Sequence, residues 1–233
     1  MPDIIDLSHI VDSSVAIYPG DPEFSSCPHL TLSADGVNVS RISLGSHTGT
    51  HVDAPYHFIE DGKKIDEIPL STFVGPAVVV DLTAQELGRE LREREAIQWA
   101  DLQKYEDAMR ATKDAILLLR TDWSKYWSTP RYFDHPYVSV EAARRIVESG
   151  IRLVGIDTLS PDETILDEVE AAKHPYAFHK IVLGAGVVIA ENLTNLDAIQ
   201  DGQWAVSLVP LKLGGCDGSP VRAMAWRHSD LPT

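Results

Sequence analysis

Three histidines and an aspartate, His47, His51, Asp53 and His57, fall within eleven residues of this chain, in the stretch "SHTGTHVDAPYHF" from Ser46 to Phe58. Imidazole nitrogens and a carboxylate oxygen are a donor set that suits Zn2+, or a neighbouring divalent ion such as Mn2+. His47, His51 and Asp53 are all odd-numbered, so on an extended segment running on from Ser43 and Gly45 their side chains share one face and converge. A helix would also bring His47 and His51 together at i,i+4, but Gly49, two threonines, Val52 and Pro55 disfavour one. The glycines at 45 and 49 leave the backbone without bulk, which lets a ligand or a second strand approach closely. His57 falls after Pro55 has turned the chain. On spacing alone, metal binding and ordinary hydrogen-bonded histidines stand as alternatives.

Such a cluster needs a scaffold, and the rest of the chain supplies strands and helices in turn. Apolar, β-branched runs of strand length occur at Ile4 to Leu7, Val37 to Leu44, Ala77 to Leu82, Ala115 to Arg120, Leu153 to Ile156, Val187 to Ala190 and Trp204 to Leu211. "AVVVDL" and "AILLLR" are nearly continuous hydrophobic runs, as expected for central strands covered on both faces. One helical pattern runs from Thr83 to Lys113, rich in Glu, Arg, Gln, Ala and Leu with opposite charges at i,i+4 and interrupted by Gly88. A second runs from Ser139 to Ser149, with Ser139 as N-cap, although Ala142 stands where a capping box needs Glu or Gln. The expected class is α/β. A chain of 233 residues with 44% hydrophobic residues can bury one sizeable core, and no repeat or Pro/Gly linker divides it, so residues 1–233 read as one domain.

Charge narrows the partners. Lys+Arg 20 against Asp+Glu 35 gives a formal charge of -15, and no basic cluster is present to follow a phosphate backbone. Nucleic acid and anionic membrane are therefore not expected partners. The start has no basic region followed by an apolar run, and no stretch is long and apolar enough to span a bilayer, so a cytoplasmic protein is expected. Cys27 and Cys216 form no CxxC pair and read as ordinary thiols.

The string from His47 to His57 resembles the HxGTHxDxPxH signature of the cyclase family, which includes bacterial-type kynurenine formamidases and isatin hydrolases; seven fixed positions of eleven match. The likeness extends to "DLSHIVDSSVAIYPGDP", "RTDW", "GIDTLSPD", "HKIVLGAGVVIAENL" and "GCDGSPVRAMA", and is loose only around Thr83 to Lys113. The resemblance implies a swivelling β/β/α fold, assembled as a homodimer or tetramer, with one or two divalent metals per chain. His47 and His51 would be ligands of one ion, with Asp53 bridging to a second. His179, and Glu191 twelve residues on, match the later ligands; His174, before Pro175, is the nearer histidine but its spacing to Glu191 does not fit. His57 matches the acid/base position, with an extra ligand or a hydrogen bonder to the site as its other readings.

That placement makes chemical sense for hydrolysis of a C–N amide bond. A metal-bound water has its pKa lowered to about 7, and a histidine outside the coordination shell can accept its proton and return it to the departing amine. The expected substrate is a small aryl formamide resembling N-formylkynurenine, or a cyclic amide resembling isatin. A lactone or ester hydrolase on the same site, and a metal- or ligand-binding module without catalysis, are the other readings. Tyr18 resembles the family's aromatic substrate contact, where the formamidases usually carry tryptophan; it keeps the stacking face and adds a hydroxyl. If subunits associate, the resemblance implies that the N-terminal segment carrying Tyr18 lies across the interface and completes a neighbour's pocket. Two features stay open: the aromatic run Trp123, Tyr126, Trp127, Tyr132 and Phe133 either closes over a pocket or packs at a dimer contact, and Arg120 either pairs with Asp122 or meets a substrate carboxylate.

Overall fold

The continuous apolar runs form the middle of a nine-stranded mixed sheet in the computed structural model, which describes residues 3–166, 176–200 and 202–227. In chain order the described strands are β1 (Ile5–Asp6), β2 (Ser25–Leu30), β3 (Val39–Ser43), β4 (His51–Asp53), β5 (Val74–Asp81), β6 (Ala96–Ile97) and β7 (Ile116–Arg120). They continue as β8 (Tyr137–Val138), β9 (Leu153–Ile156), β10 (Val188–Glu191), β11 (Trp204–Ser207), β12 (Gly218–Pro220) and β13 (Met224–Arg227). The large sheet has the order β1-β13-β11-β5-β7-β9-β10-β4-β12. Its centre, β5, β7, β9 and β10, is parallel, and antiparallel strands flank it on both sides. The α/β expectation holds.

Strand β7 shows why the centre is so apolar. Successive side chains of a strand point to opposite faces. Leu117 and Leu119 accordingly join a core with the helices Val140–Glu148 and Ala177–Gly184, through Ala142, Ile146, Phe178 and Val182. Ile116 and Leu118 join a second core on the other face with Val52, Phe73, Ala190 and Val206. Burying both faces at roughly 25 cal/mol per Å² of apolar surface is what holds a parallel sheet together. Helix Val140–Glu148 begins as expected, with Ser139 Oγ accepting the Ala142 N–H at 3.3 Å.

The helix expected over Thr83 to Lys113 is instead several short pieces. Gly88, in the left-handed region at φ 69, ends a four-residue helix at Leu87; strand β6 then pairs with β8, and helices resume at Trp99–Leu102 and Glu106–Ala111. The charge pattern that resembled helical i,i+4 pairing mostly stitches these pieces together: Arg89 reaches Glu95 and Asp101, Lys104 pairs with Glu86, and only Arg110 with Glu106 is an i,i+4 pair. The Val37 to Leu44 run is shortened to β3 and pairs with β2, a strand the sequence pattern did not reveal, in a hairpin that is exposed almost throughout.

Candidate metal centre

Register brings the first chemistry-bearing side chains together. Strand β4 runs antiparallel to β10, with His51 opposite Glu191 and Asp53 opposite Ile189. Directly opposed residues project to the same face, and so do residues two apart on a strand, so His51, Asp53 and Glu191 must share one side of the sheet. His179, in the helix Ala177–Gly184, faces them. His51 Nε2 lies 3.2 Å from Asp53 Oδ1 and 3.3 Å from Glu191 Oε2. His179 Nε2 lies 3.2 Å from Glu191 Oε1 and 3.5 Å from Asp53 Oδ2. All four side chains are buried.

His47 converges on the same point by another route. It does not stand on an extended segment with His51 and Asp53, because β4 begins only at His51 and residues 46–50 form a turn. Gly49 sits in that turn at φ 69, with Val11 so close that an added Cβ would lie 2.6 Å from its Cγ2. A side chain at this position would be both strained and obstructed. The turn carries the His47 ring round so that Nδ1 sits 2.7 Å from Asp53 Oδ1. Expected convergence is therefore found, through a glycine turn and not through strand alternation.

The rings are aimed from behind. His51 Nδ1 donates to Gly49 O at 2.8 Å, and His179 Nδ1 donates to Asp162 Oδ2 at 2.7 Å, which fixes each Nε2 toward the carboxylates. Such outer hydrogen bonds set tautomer and orientation in histidine metal ligands. Burial alone would raise the Asp162 carboxyl, but hydrogen bonds from His179 and Phe178 outweigh it and hold the group below its ordinary value. Within the cage, burial opposes charge on His51, yet Asp53 and Glu191 push its pKa up to about 10; His47 is pushed up to about 9 in the same way, by Asp53 and then Asp217. The site thus calls strongly for positive charge.

Three cage atoms, His51 Nε2, Asp53 Oδ2 and Glu191 Oε1, are buried without any hydrogen-bond partner. An unsatisfied buried polar group costs about 1–3 kcal/mol, more when charged, so three in one spot require an explanation. Divalent cations held by these side chains would satisfy them, and imidazole with carboxylate is the donor chemistry for such ions. The residues present fit a metal: His47, His51 and Asp53 form one group with ligand atoms close enough to share an ion, and Asp53, His179 and Glu191 form another.

His57, on the short turn Pro55–His57, stacks near His47 with ring centroids 4.0 Å apart. Its Nδ1 is 3.1 Å from Asp217 Oδ2, and the same oxygen lies 2.9 Å from His47 Nε2, while Ser46 Oγ donates to Asp217 Oδ1 at 2.8 Å. Hydrogen bonds from His47 and His57 hold the Asp217 carboxyl far below the usual range. Neither Asp217 nor Asp162 was singled out from the sequence, although "GCDGSPVRAMA" and "GIDTLSPD" contain them; an acidic residue beside turn-forming residues in each string was the available signal.

The cage opens into a cavity of about 360 Å³. His57 lines it beside Tyr18, Phe58, Leu159 and Tyr176, so the cage looks out between aromatic walls. Burial first, then the neighbouring Tyr176, pushes the Tyr18 hydroxyl pKa upward. Tyr176 is a second wall residue that the sequence did not disclose. The aromatic run packs and does not form a flap: Trp123 and Tyr132 are buried with Ala16 and Leu159, and Tyr18 rests against that cluster beside Tyr126, Trp127 and Phe133. Arg120 is committed to Asp122 at 2.7 Å and Asp81 at 3.1 Å and does not line the cavity. His174 lies outside the described residues.

Fold and site together define an α/β protein built around a buried histidine–carboxylate cage at the foot of an aromatic pocket. The chain belongs to the Cyclase family, described as putative cyclases, which it matches over residues 5–163. It is similar to the kynurenine formamidase of Bacillus cytotoxicus, 35% identical over 224 residues that cover 94% of this chain and 95% of that protein. Among solved structures it resembles isatin hydrolase A from Labrenzia aggregata, bound there to benzyl benzoate, at 30% identity and a TM-score of 0.83, covering 97% of this chain and 93% of that one. A predicted metal-dependent hydrolase from Bacillus stearothermophilus is 28% identical with a TM-score of 0.72, covering 97% and 98%.

Proposed function

We propose that this protein is a metal-dependent hydrolase that cleaves the C–N amide bond of an aryl formamide resembling N-formylkynurenine or of a cyclic amide resembling isatin. The single observation that carries the reading is the set of three buried cage atoms that make no hydrogen bond, His51 Nε2, Asp53 Oδ2 and Glu191 Oε1, opening onto a pocket that also presents His57. Relatives that are kynurenine formamidases and structural neighbours that are isatin hydrolases support the substrate class. His47, His51, Asp53, His179 and Glu191 would hold one or two divalent ions, Zn2+ in the first instance and Mn2+ as the alternative. Such an ion would supply a Lewis acid for the amide carbonyl and lower the pKa of the attacking water.

The chain's own residues do the rest. Tyr18, Phe58 and Tyr176 clasp the aryl ring and exclude water from the reacting carbonyl. With Nδ1 engaged by Asp217, His57 presents its other nitrogen to the pocket; it takes a proton from the attacking water and returns it to the departing amine nitrogen. One water is consumed and the C–N bond breaks, giving a carboxylate and an amine as two molecules from a formamide and on one ring-opened molecule from a cyclic amide.

Residues 1–233 act as one hydrolase domain in a cytoplasmic homodimer or larger homo-oligomer. Supporting the assembly, the β2–β3 hairpin exposes Val39 and Ile42, and an isolated two-stranded ribbon is marginally stable unless something packs on it. Light scattering on the purified protein checks it; a monomer would remove this part of the proposal.

The test is to purify the protein without chelator, measure metal per chain, and assay the same sample with N-formylkynurenine, isatin and a simple aryl ester. One or two metals with amide hydrolysis is the expected result. Ester turnover alone would replace the amide reading, and neither metal nor turnover would leave a binding module.

A further inference from the structure

Beside the cage lies a residue that carries no acid, base or metal-type donor and yet joins its parts. Asn192 directly follows Glu191, is 1% exposed, and holds a left-handed backbone at φ 57. Its backbone N–H donates to Thr158 O at 3.0 Å, and its carbonyl accepts from Thr50 Oγ1 at 2.6 Å. Its side-chain Nδ2 donates to Gly49 O at 2.9 Å, and Oδ1 accepts from the Tyr132 hydroxyl at 2.9 Å. Both backbone groups and both amide atoms are thus engaged, each by a different segment or side chain.

The partners are the segments that carry the cage. Gly49 and Thr50 lie between His47 and His51. Thr158 lies in the loop that leads to Asp162, which in turn aims His179. Asn192 itself continues from Glu191. Gly49 O accepts from both Asn192 Nδ2 and His51 Nδ1, so one carbonyl fixes the ring of a candidate ligand and is itself fixed by Asn192. Tyr132 anchors the amide from behind, out of the aromatic cluster against which Tyr18 rests.

We propose that Asn192 is the positioning residue of the candidate metal centre: its four hydrogen bonds set where His51, Glu191 and the Asp162–His179 pair stand relative to one another, with Tyr132 as its anchor. Asparagine suits the post because it tolerates the left-handed backbone and offers a donor and an acceptor on one short planar group. Hydrogen-bond partners behind metal ligands are worth about 10–100-fold in metal affinity when removed. Through Tyr132, metal affinity also becomes sensitive to the packing that supports the substrate wall.

The proposal rests on the metal-binding part of the function proposed above, and its test reads metal without reading turnover. Asn192→Gly keeps the left-handed backbone free of strain and deletes both side-chain hydrogen bonds. Zn2+ affinity, measured by competition with a chromophoric chelator, is expected to fall about 10–100-fold. The visible absorption of the Co2+-loaded protein is expected to shift as the ligands move. Ser149→Ala, which removes a buried hydroxyl donating to Ile146 O at a helix end away from the cage, should leave both readouts at wild-type values. Wild-type affinity and spectrum in Asn192→Gly would overturn the proposal, and so would an equal loss of affinity in Ser149→Ala. If Asn192→Gly fails to fold, Tyr132→Phe gives the same two readouts after loss of one hydroxyl, with about fivefold weaker Zn2+ expected; unchanged values there would also overturn it. Wild-type protein that takes up no Zn2+ defeats the metal reading itself, whereas normal uptake with an unaffected variant defeats only the role of Asn192.

Discussion

Replacing Asp217 by asparagine isolates the way His57 is held. The carboxylate accepts from His57 at 3.1 Å, from His47 at 2.9 Å and from Ser46 at 2.8 Å, and asparagine keeps its volume while removing the charge and half the acceptor capacity. A hydrogen bond to a charged partner contributes about 1.5–3 kcal/mol. The Asp217 side chain is 35% exposed, so solvent screening favours the low end for each of its two imidazole contacts. Loss of the His57 contact is then about 1.5 kcal/mol, or about tenfold in kcat if the orientation of His57 matters mainly in the transition state. The assay is steady-state hydrolysis of N-formylkynurenine at saturating metal for the wild type, Asp217→Asn, His57→Ala and the double variant. Since Asp217 acts through His57, the double variant should be little worse than His57→Ala alone. A kcat within threefold of wild type, or a full tenfold further loss in the His57→Ala background, would refute the dyad.

His57→Ala should retain metal and lose about 10²–10⁴ in kcat; loss of metal would show it to be a ligand. Asp53→Asn and Glu191→Gln should each lower metal content per chain by elemental analysis, and full occupancy with unchanged activity would remove them from the mechanism. Tyr18→Ala should raise KM with the metal content unchanged, and normal KM and kcat would take Tyr18 out of the pocket wall. His135 is fully buried, and burial lowers its pKa to about 4, so the unfolded chain binds the extra proton between about pH 4 and 6.5 and stability falls as pH drops through that window. The stability advantage of wild type over His135→Gln in urea unfolding should therefore shrink by about 2 kcal/mol between pH 7 and pH 5; a constant difference would contradict the buried neutral state.

What the sequence reveals depends on whether chemistry or geometry writes the pattern. Central strands such as β7 and β9 were legible because double burial demands apolar residues at every position. His47, His51 and Asp53 were legible because their local spacing is short, whereas His179 and Glu191 were reached only through the family resemblance. The Thr83 to Lys113 stretch misled because charges three or four apart read as helical even when Gly88 has already broken the helix and the charges reach across turns. Asp162, Asp217 and Asn192 were hidden for a different reason. Each is an ordinary polar residue in a loop, and each acquires a role only through partners on other segments, such as His47 and Asp217, 170 positions apart. His47 shows a correct conclusion reached by the wrong route, since alternation predicted the meeting that a turn at Gly49 produces.

The pairing of β4 with β10 has a consequence for how the protein comes into being. His51 and Glu191 are far apart in the chain, and a slip of one residue in their register would turn the whole ligand face of one strand to the other side of the sheet. A cage of this kind cannot exist in any locally folded fragment; it is completed only when contacts of long sequence separation, which form slowly, have closed. A divalent ion that binds the finished cage would then favour the native register over a slipped one, because only the native register offers it His51, Asp53 and Glu191 together. Metal supplied during refolding would act as a proofreader of strand alignment, well before any substrate arrives.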